Sequence, residues 1–139
     1  ILARGEEPGS ADAAGHAGVA YAITGLLRAF PWHARRGQVF LPQSLMDAVG
    51  LSREDIIVSK DTEPLRAALA EMRARARQHL DKARSFGMSM KPEIGPAFLP
   101  LASVPHYLAD MERGNYDPFS ALIHRANWRR VWSMWRWRT

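Results

Sequence analysis

Apolar residues recur every three or four positions along two long stretches of the chain, and this period predicts two long α-helices. The first runs from Ser10, which can cap it, to about Phe30. The second runs from Thr62, another candidate cap, to Phe86. Its apolar stripe consists of Leu65, Leu69, Met72, Ala76, Leu80, Ala83 and Phe86.

Shorter elements are predicted after each long helix. Pro31 should end the first helix, because proline lacks an amide hydrogen and disfavours helical angles in the residue before it. A short helix over Gln43–Val49 should close at Gly50, and Ser52 can cap a further turn. Prolines then divide the apolar segment Glu93–Glu112, which predicts a broken and mostly buried helix.

Tryptophan and arginine are interleaved along the last predicted helix, roughly Phe119–Thr139. Its tryptophans can pack into the core, which we prefer, or the helix can lie at a lipid headgroup interface. The candidates for a membrane or partner surface are Trp132, Trp135, Arg136, Trp137 and Arg138. No strand pattern of useful length occurs, so the sequence predicts an all-α fold.

The overall charge favours acidic partners. The 139 residues carry a net charge of +5, which suits phosphate groups, anionic lipid or an acidic protein surface. The alternative that this surplus binds no anion stays open. Because the chain has no cysteine, disulfides and thiolate metal sites are excluded. No apolar run approaches the roughly 20 residues that are needed to cross a bilayer.

Short motifs with known chemistry are absent. The sequence has no glycine-rich phosphate loop, no HExxH zinc pair and no nucleophile elbow. Its five histidines are scattered, and its basic stretches lack a nucleic-acid-binding pattern. We therefore predict no catalytic residue, no metal ligand and no nucleic-acid partner.

The most informative stretch is Gly18–Pro42, in which an apolar helix leads into a cationic turn. Such a turn at the mouth of a domain can hold an anion, since guanidinium groups pair with phosphate oxygens in a fixed fork. The candidate ligands for a diphosphate or another anion are Arg28, His33, Arg35 and Arg36.

The spacing of this stretch resembles the second signature of the squalene/phytoene synthase family. The matching positions are Gly18, Arg28, Gly37, Phe40 and Pro42. They are the scaffold of the signature, so the resemblance implies that family's fold for this part of the chain.

The residues that would carry the family's chemistry are replaced. Ala29 and His33 stand where the resemblance implies two aspartates that hold magnesium ions. Ala29 has no ligand atom, and an imidazole suits zinc or iron better than magnesium. Ala22, Gly25 and Gln38 replace the Gln, the Asn and the second Arg of the signature.

Within this family, the pattern from His16 to Pro42 and the run Gln78–Phe86 look most like the branch related to the mitochondrial complex I assembly factor. The resemblance implies the C-terminal half of an isoprenoid-synthase-like helical bundle. We expect residues 1–139 to form one all-α domain or half-domain, with the N-terminal half and its aspartate-rich motif upstream of Ile1. Faces that pack on that half would then be exposed or buried in a homo-oligomer.

The resemblance implies a non-catalytic protein that acts in respiratory complex I assembly or a related scaffold role. Its partners would be complex I subunits, and no cofactor is expected. It would work in the cytoplasm or on the mitochondrial matrix side, peripheral to the inner membrane. One alternative is a head-to-head prenyl-diphosphate transferase, with magnesium held by the upstream half and the isoprenoid diphosphate gripped by Arg28, Arg35 and Arg36. Another is a basic helical interaction domain that shares only ancestry with the family.

Overall fold

The structure is a computed structural model, and it describes residues 9–87 and 95–120. All regular structure in these two ranges is helical, which confirms the all-α prediction. The helices are α1 (Ser10–Arg35), α2 (Gln43–Val49), α3 (Arg53–Ile57), α4 (Glu63–Gly87), a 3-10 helix (Gly95–Ser103) and α5 (Val104–Met111). The predicted C-terminal helix, with its candidate tryptophans and arginines, lies almost entirely outside the described residues.

Packing between α1 and α4 forms the centre of the fold. Both helices bury alanines, and side chains of this size let two helix backbones approach closely. Ala20 on α1 and Ala76 on α4 are fully buried. Larger apolar side chains of α4, such as Leu65 and Leu69, belong to the same core cluster as these alanines. The predicted stripe of α4 is confirmed, except that Phe86 at its end is only partly buried.

The broken helix predicted over Glu93–Glu112 is confirmed from Gly95 onward. A 3-10 helix containing Pro100 leads directly into α5, and both elements pack against α1. Val104 and Leu108 of α5 are buried, so this segment covers a side of the α1–α4 pair. The prolines explain the break, because each removes a backbone donor that a continuous α-helix would use.

The prediction that Pro31 ends the first helix is wrong. Helix α1 continues through Pro31 to Arg35. Phe30, Pro31 and Ala34 are all buried, so core contacts hold the last turn in place. The missing amide hydrogen removes one backbone hydrogen bond, and burial of this apolar turn offsets that loss.

The N-termini of the two long helices, α1 and α4, are capped differently. Ser10 does not cap α1, because the helix begins after Gly9, which adopts a left-handed conformation with φ of 86°. The prediction for α4 is confirmed, since the Thr62 hydroxyl accepts a hydrogen bond from the Leu65 amide at 3.3 Å. Ser52 caps α3 in the same way, accepting from the Asp55 amide at 3.1 Å.

The tight α1–α4 contact predicts that enlarging a buried alanine is costly. Ala76→Leu should lower the free energy of unfolding by about 1–3 kcal/mol, because the added carbons have no space between the helices. Urea unfolding followed by circular dichroism measures this change. Ala70→Leu is the matched control, since Ala70 is on the exposed side of the same helix. Equal stability of the two variants would contradict the packing described here.

Candidate functional site

The candidate site is built on the C-terminal half of α1 and the turn that follows it. Ala22, Gly25, Ala29 and His33 recur at three- and four-residue spacing, so they share one side of the helix. Ala22 is exposed and the other three are partly exposed. A Cβ atom added at Gly25 would meet nothing within 4 Å among the described residues. This side of α1 therefore presents small side chains and one imidazole, with no carboxylate.

His33 is held by contacts within the turn. Its Nδ1–H donates a hydrogen bond to the Gln38 side-chain oxygen at 3.2 Å. Its ring also packs edge-on against Phe40, with ring centres 4.6 Å apart, and against Trp32 at 5.1 Å. Two positions at which this chain departs from the family signature, His33 and Gln38, are thus hydrogen-bonded to each other.

A shallow apolar pocket lies beneath this turn. Its lining residues are Leu26, Leu27, Phe30, His33, Gln38, Phe40, Leu41 and Met72. Its volume of about 10 Å³ is at the lower limit for holding one water molecule. Within the described part of the chain, this pocket is therefore too small for a ligand with a hydrocarbon chain.

The four anion-binding candidates each contact a different neighbour. The Arg28 guanidinium lies 4.2 Å from the ring centre of Tyr107 on α5, and its Nε is buried without a hydrogen-bond partner among the described residues. The Arg36 guanidinium stacks on Trp32 at 3.7 Å. Arg35 points to the Phe119 carbonyl oxygen at 3.5 Å. No contact in the described ranges draws these cations together, and their role as anion ligands stays a prediction.

Several basic side chains of α4 form ion pairs with nearby carboxylates. Arg77 forms a two-pronged ion pair with Glu112 near the end of α5, with N–O distances of 3.1 and 2.6 Å. Arg75 bonds Glu71 one turn earlier at 3.0 Å. Arg73, which is half-buried, has a pKa lowered chiefly by burial. These pairs are typical of a solvated helix face rather than of an anion site.

Sequence reasoning missed a histidine pair between the two long helices. The Nδ1 atoms of His16 on α1 and His79 on α4 are 2.8 Å apart, and Phe86 stacks on the His16 ring. Only a ring without a proton on Nδ1 can accept this bond, so the two rings cannot both be charged. Burial, followed by the charges of His16 and Lys82, lowers the pKa of His79. Sixty-three residues separate the pair, so no local spacing could reveal it.

Two further features limit what the described residues can do. Across residues 9–87 and 95–120, no three histidine, aspartate or glutamate side chains lie close enough together to hold a metal ion. In the same ranges, no helix is long and apolar enough to cross a membrane.

Comparison with known proteins places these features in a family context. The family model for squalene/phytoene synthase matches residues 1–136. The chain is 36% identical over 115 residues to NADH dehydrogenase (ubiquinone) complex I, assembly factor 6 of Mus musculus, covering 83% of this chain and 34% of that protein. The protein of the same name from Homo sapiens is 33% identical over the same shares.

A second group of relatives is also similar. Phytoene synthase 2, chloroplastic, of Solanum lycopersicum is 32% identical over 104 residues, which cover 74% of this chain and 34% of that protein. The chain thus spans about a third of the length of these curated relatives. No solved structure matches it.

The histidine pair predicts that the protein loses stability on acidification. The folded state lowers the pKa of His79 below its ordinary value of 6.5, so the unfolded chain binds more protons as the pH falls. The contribution of the pair to the free energy of unfolding should be complete above pH 6.5. It should decline as the pH falls towards the lowered pKa of His79 and level off below that pKa.

Urea unfolding at a series of pH values measures this dependence. In His79→Ala the decline in stability near pH 6.5 should become shallower. Gln78→Ala, a change at the exposed neighbouring position, should keep the decline of the parent chain. Identical pH profiles for His79→Ala and the parent would show that the pair is not coupled to folding.

Proposed function

Because this chain belongs to the squalene/phytoene synthase family but lacks the carboxylates of that family's second signature, we propose that it is a non-catalytic scaffold in respiratory complex I assembly. The proposal rests on the absence of carboxylates from the side of α1 formed by Ala22, Gly25, Ala29 and His33. A diphosphate-ionising enzyme needs carboxylates there to hold magnesium ions, which neutralise the leaving group.

The surroundings of His33 support the loss of metal chemistry. Its ring is packed by Trp32 and Phe40 and hydrogen-bonded to Gln38. In the described part of the chain, it does not join two further histidine or carboxylate side chains in a group that could hold a metal ion. The turn keeps the signature's glycine and proline at Gly37 and Pro42, which preserve its backbone course while its chemistry differs.

The similarity to proteins named complex I assembly factor 6 supports the assembly role. In this proposal the partners are subunits of complex I or of its assembly intermediates. The protein acts on the matrix side of the mitochondrial inner membrane or on the equivalent cytoplasmic side in a bacterium. Contact through exposed helical surfaces, including the small-residue side of α1, requires no cofactor.

A second candidate function is prenyl-diphosphate transfer of the head-to-head type. It is favoured by the similarity to phytoene synthase 2 and by the retention of Arg28 at the signature's arginine position. In this alternative, magnesium is the cofactor, residues outside this chain hold it, and Arg28, Arg35 and Arg36 bind the diphosphate. The two candidates differ in whether diphosphate binding by the full-length protein depends on magnesium.

Restoring the carboxylates tests whether these positions are the lost metal site. The parent chain should bind inorganic diphosphate weakly and without magnesium dependence. Ala29→Asp/His33→Asp should gain magnesium-dependent binding by at least about tenfold, because two carboxylates four residues apart face the same ion beside nearby arginines. Isothermal titration calorimetry with and without magnesium measures the gain.

Ala14→Asp/Gly18→Asp is the matched control, with the same spacing on an exposed part of the same helix. It should show no comparable gain. Magnesium-dependent diphosphate binding by the unmodified full-length protein would favour the transferase. An equal gain in the control would mean that positions 29 and 33 have no special relation to diphosphate.

The assembly role predicts a specific cellular defect. Cells that lack the gene for this chain should contain less assembled complex I and show lower NADH dehydrogenase activity, while their squalene and phytoene contents stay unchanged. Native gel electrophoresis and lipid analysis measure the two readouts, and re-expression of the gene should restore complex I. Loss of an isoprenoid product with complex I intact would contradict the proposal.

A further inference from the structure

The turn after α1 joins exposed aromatic rings to cations that lack carboxylate partners. We call the surface formed by Trp32, Arg35, Arg36, Phe40 and Arg53 the basic aromatic turn. Trp32 is 44% exposed and Phe40 is 51% exposed, so the turn presents two large aromatic rings on one surface. Both rings contact His33, so they belong to one continuous patch.

The cations of the patch are fixed beside these rings. Arg36 stacks on Trp32 at 3.7 Å. Arg53, from the start of α3, donates a hydrogen bond to the Gly37 carbonyl oxygen at 2.9 Å and so brings a further charge to the turn. Arg35 is exposed on the last turn of α1. Among the residues that the structure describes, none of these three arginines forms an ion pair with a carboxylate.

The charge distribution makes this patch different from the rest of the described surface. Between Asp12 and Asp47 the sequence contains no acidic residue. On α4 and α5, by contrast, arginines pair with carboxylates at about 3 Å, as in Arg75–Glu71 and Arg113–Asp110. In the described ranges, the turn thus brings three arginines without an ion pair close to the exposed aromatic rings.

We propose that the basic aromatic turn docks the protein on an anionic lipid surface. Tryptophan and phenylalanine side chains insert at the headgroup level, and adjacent arginines pair with lipid phosphates, so the two kinds of residue reinforce each other. The pocket beneath the turn has a volume of about 10 Å³ and offers no socket for a peptide side chain. The chemistry thus fits a lipid surface better than a protein groove. This inference is independent of the assembly role.

Co-sedimentation of the 139-residue chain with lipid vesicles tests the proposal. The chain should bind phosphatidylcholine vesicles that contain about one third phosphatidylglycerol, bind pure phosphatidylcholine far less, and dissociate as salt is raised. Arg35→Ala/Arg36→Ala should weaken binding by at least about tenfold, since each cation near an anionic surface contributes roughly a fivefold factor. Arg75→Ala/Lys82→Ala on α4 removes the same charge and should change binding little.

The aromatic contribution is tested by a second pair of variants. Trp32→Ala/Phe40→Ala should weaken vesicle binding by at least about fivefold. Val19→Ala/Tyr21→Ala removes exposed apolar side chains elsewhere on α1 and is the matched control. Thermal unfolding of all four variants verifies that each is folded.

Three results would overturn the proposal. The first is that the chain binds no vesicles. The second is equal vesicle binding by the turn variants and their controls, which would place the lipid contact elsewhere. The third is binding of polyglutamate through the turn without vesicle binding, which would identify an acidic protein surface as the partner.

Discussion

The close contact between α1 and α4 is the constraint on which the rest of the structure depends. Fully buried alanines, such as Ala20 and Ala76, leave room for neither a larger side chain nor a layer of water between the helices. The contact also positions the last turn of α1, where Phe30 and Ala34 are buried. Without this packing, nothing would offset the backbone hydrogen bond lost at Pro31, and we would expect the helix to end before Arg35. The turn that carries the candidate site therefore begins where the core ends.

In that turn, residues that shape the backbone of the family signature are retained, whereas residues that would carry its chemistry are replaced. Gly37, with φ of 66°, keeps a backbone conformation that side chains larger than hydrogen rarely adopt. The same turn carries His33 and Gln38, which form a hydrogen bond in which neither side chain needs a charge. A fold can be retained for its surface after its metal ligands are lost, because packing and metal binding use different residues.

Much of the fold could be predicted from the sequence, because caps and periodicity are local signals. Thr62 and Ser52 cap their helices as their spacing indicates, and Gly50 closes α2. Pro31 was misjudged because its effect depends on burial against distant residues, which a local pattern does not contain. The pairing of His16 with His79 was missed for the same reason, since it arises only when α1 and α4 pack together.

The candidate site was harder to predict than the fold. The sequence indicates which signature positions are altered, and it groups Arg28, Arg35 and Arg36 as cations of one stretch. It does not indicate that Arg28 turns towards Tyr107 while Arg36 stacks on Trp32. Side-chain direction is set by neighbours from α5 and the turn, so residue type and spacing alone cannot show whether cations converge.

The central claim is that this chain keeps a synthase-type helix without its metal-dependent chemistry. Calorimetric titration of the full-length protein with farnesyl diphosphate, with and without magnesium, tests it most directly. The account predicts either no binding or binding whose affinity is unchanged by magnesium, because the α1 side that includes Ala29 and His33 has no carboxylate to hold the ion. Tight binding that appears only with magnesium would contradict the account and support a working prenyl-diphosphate transferase.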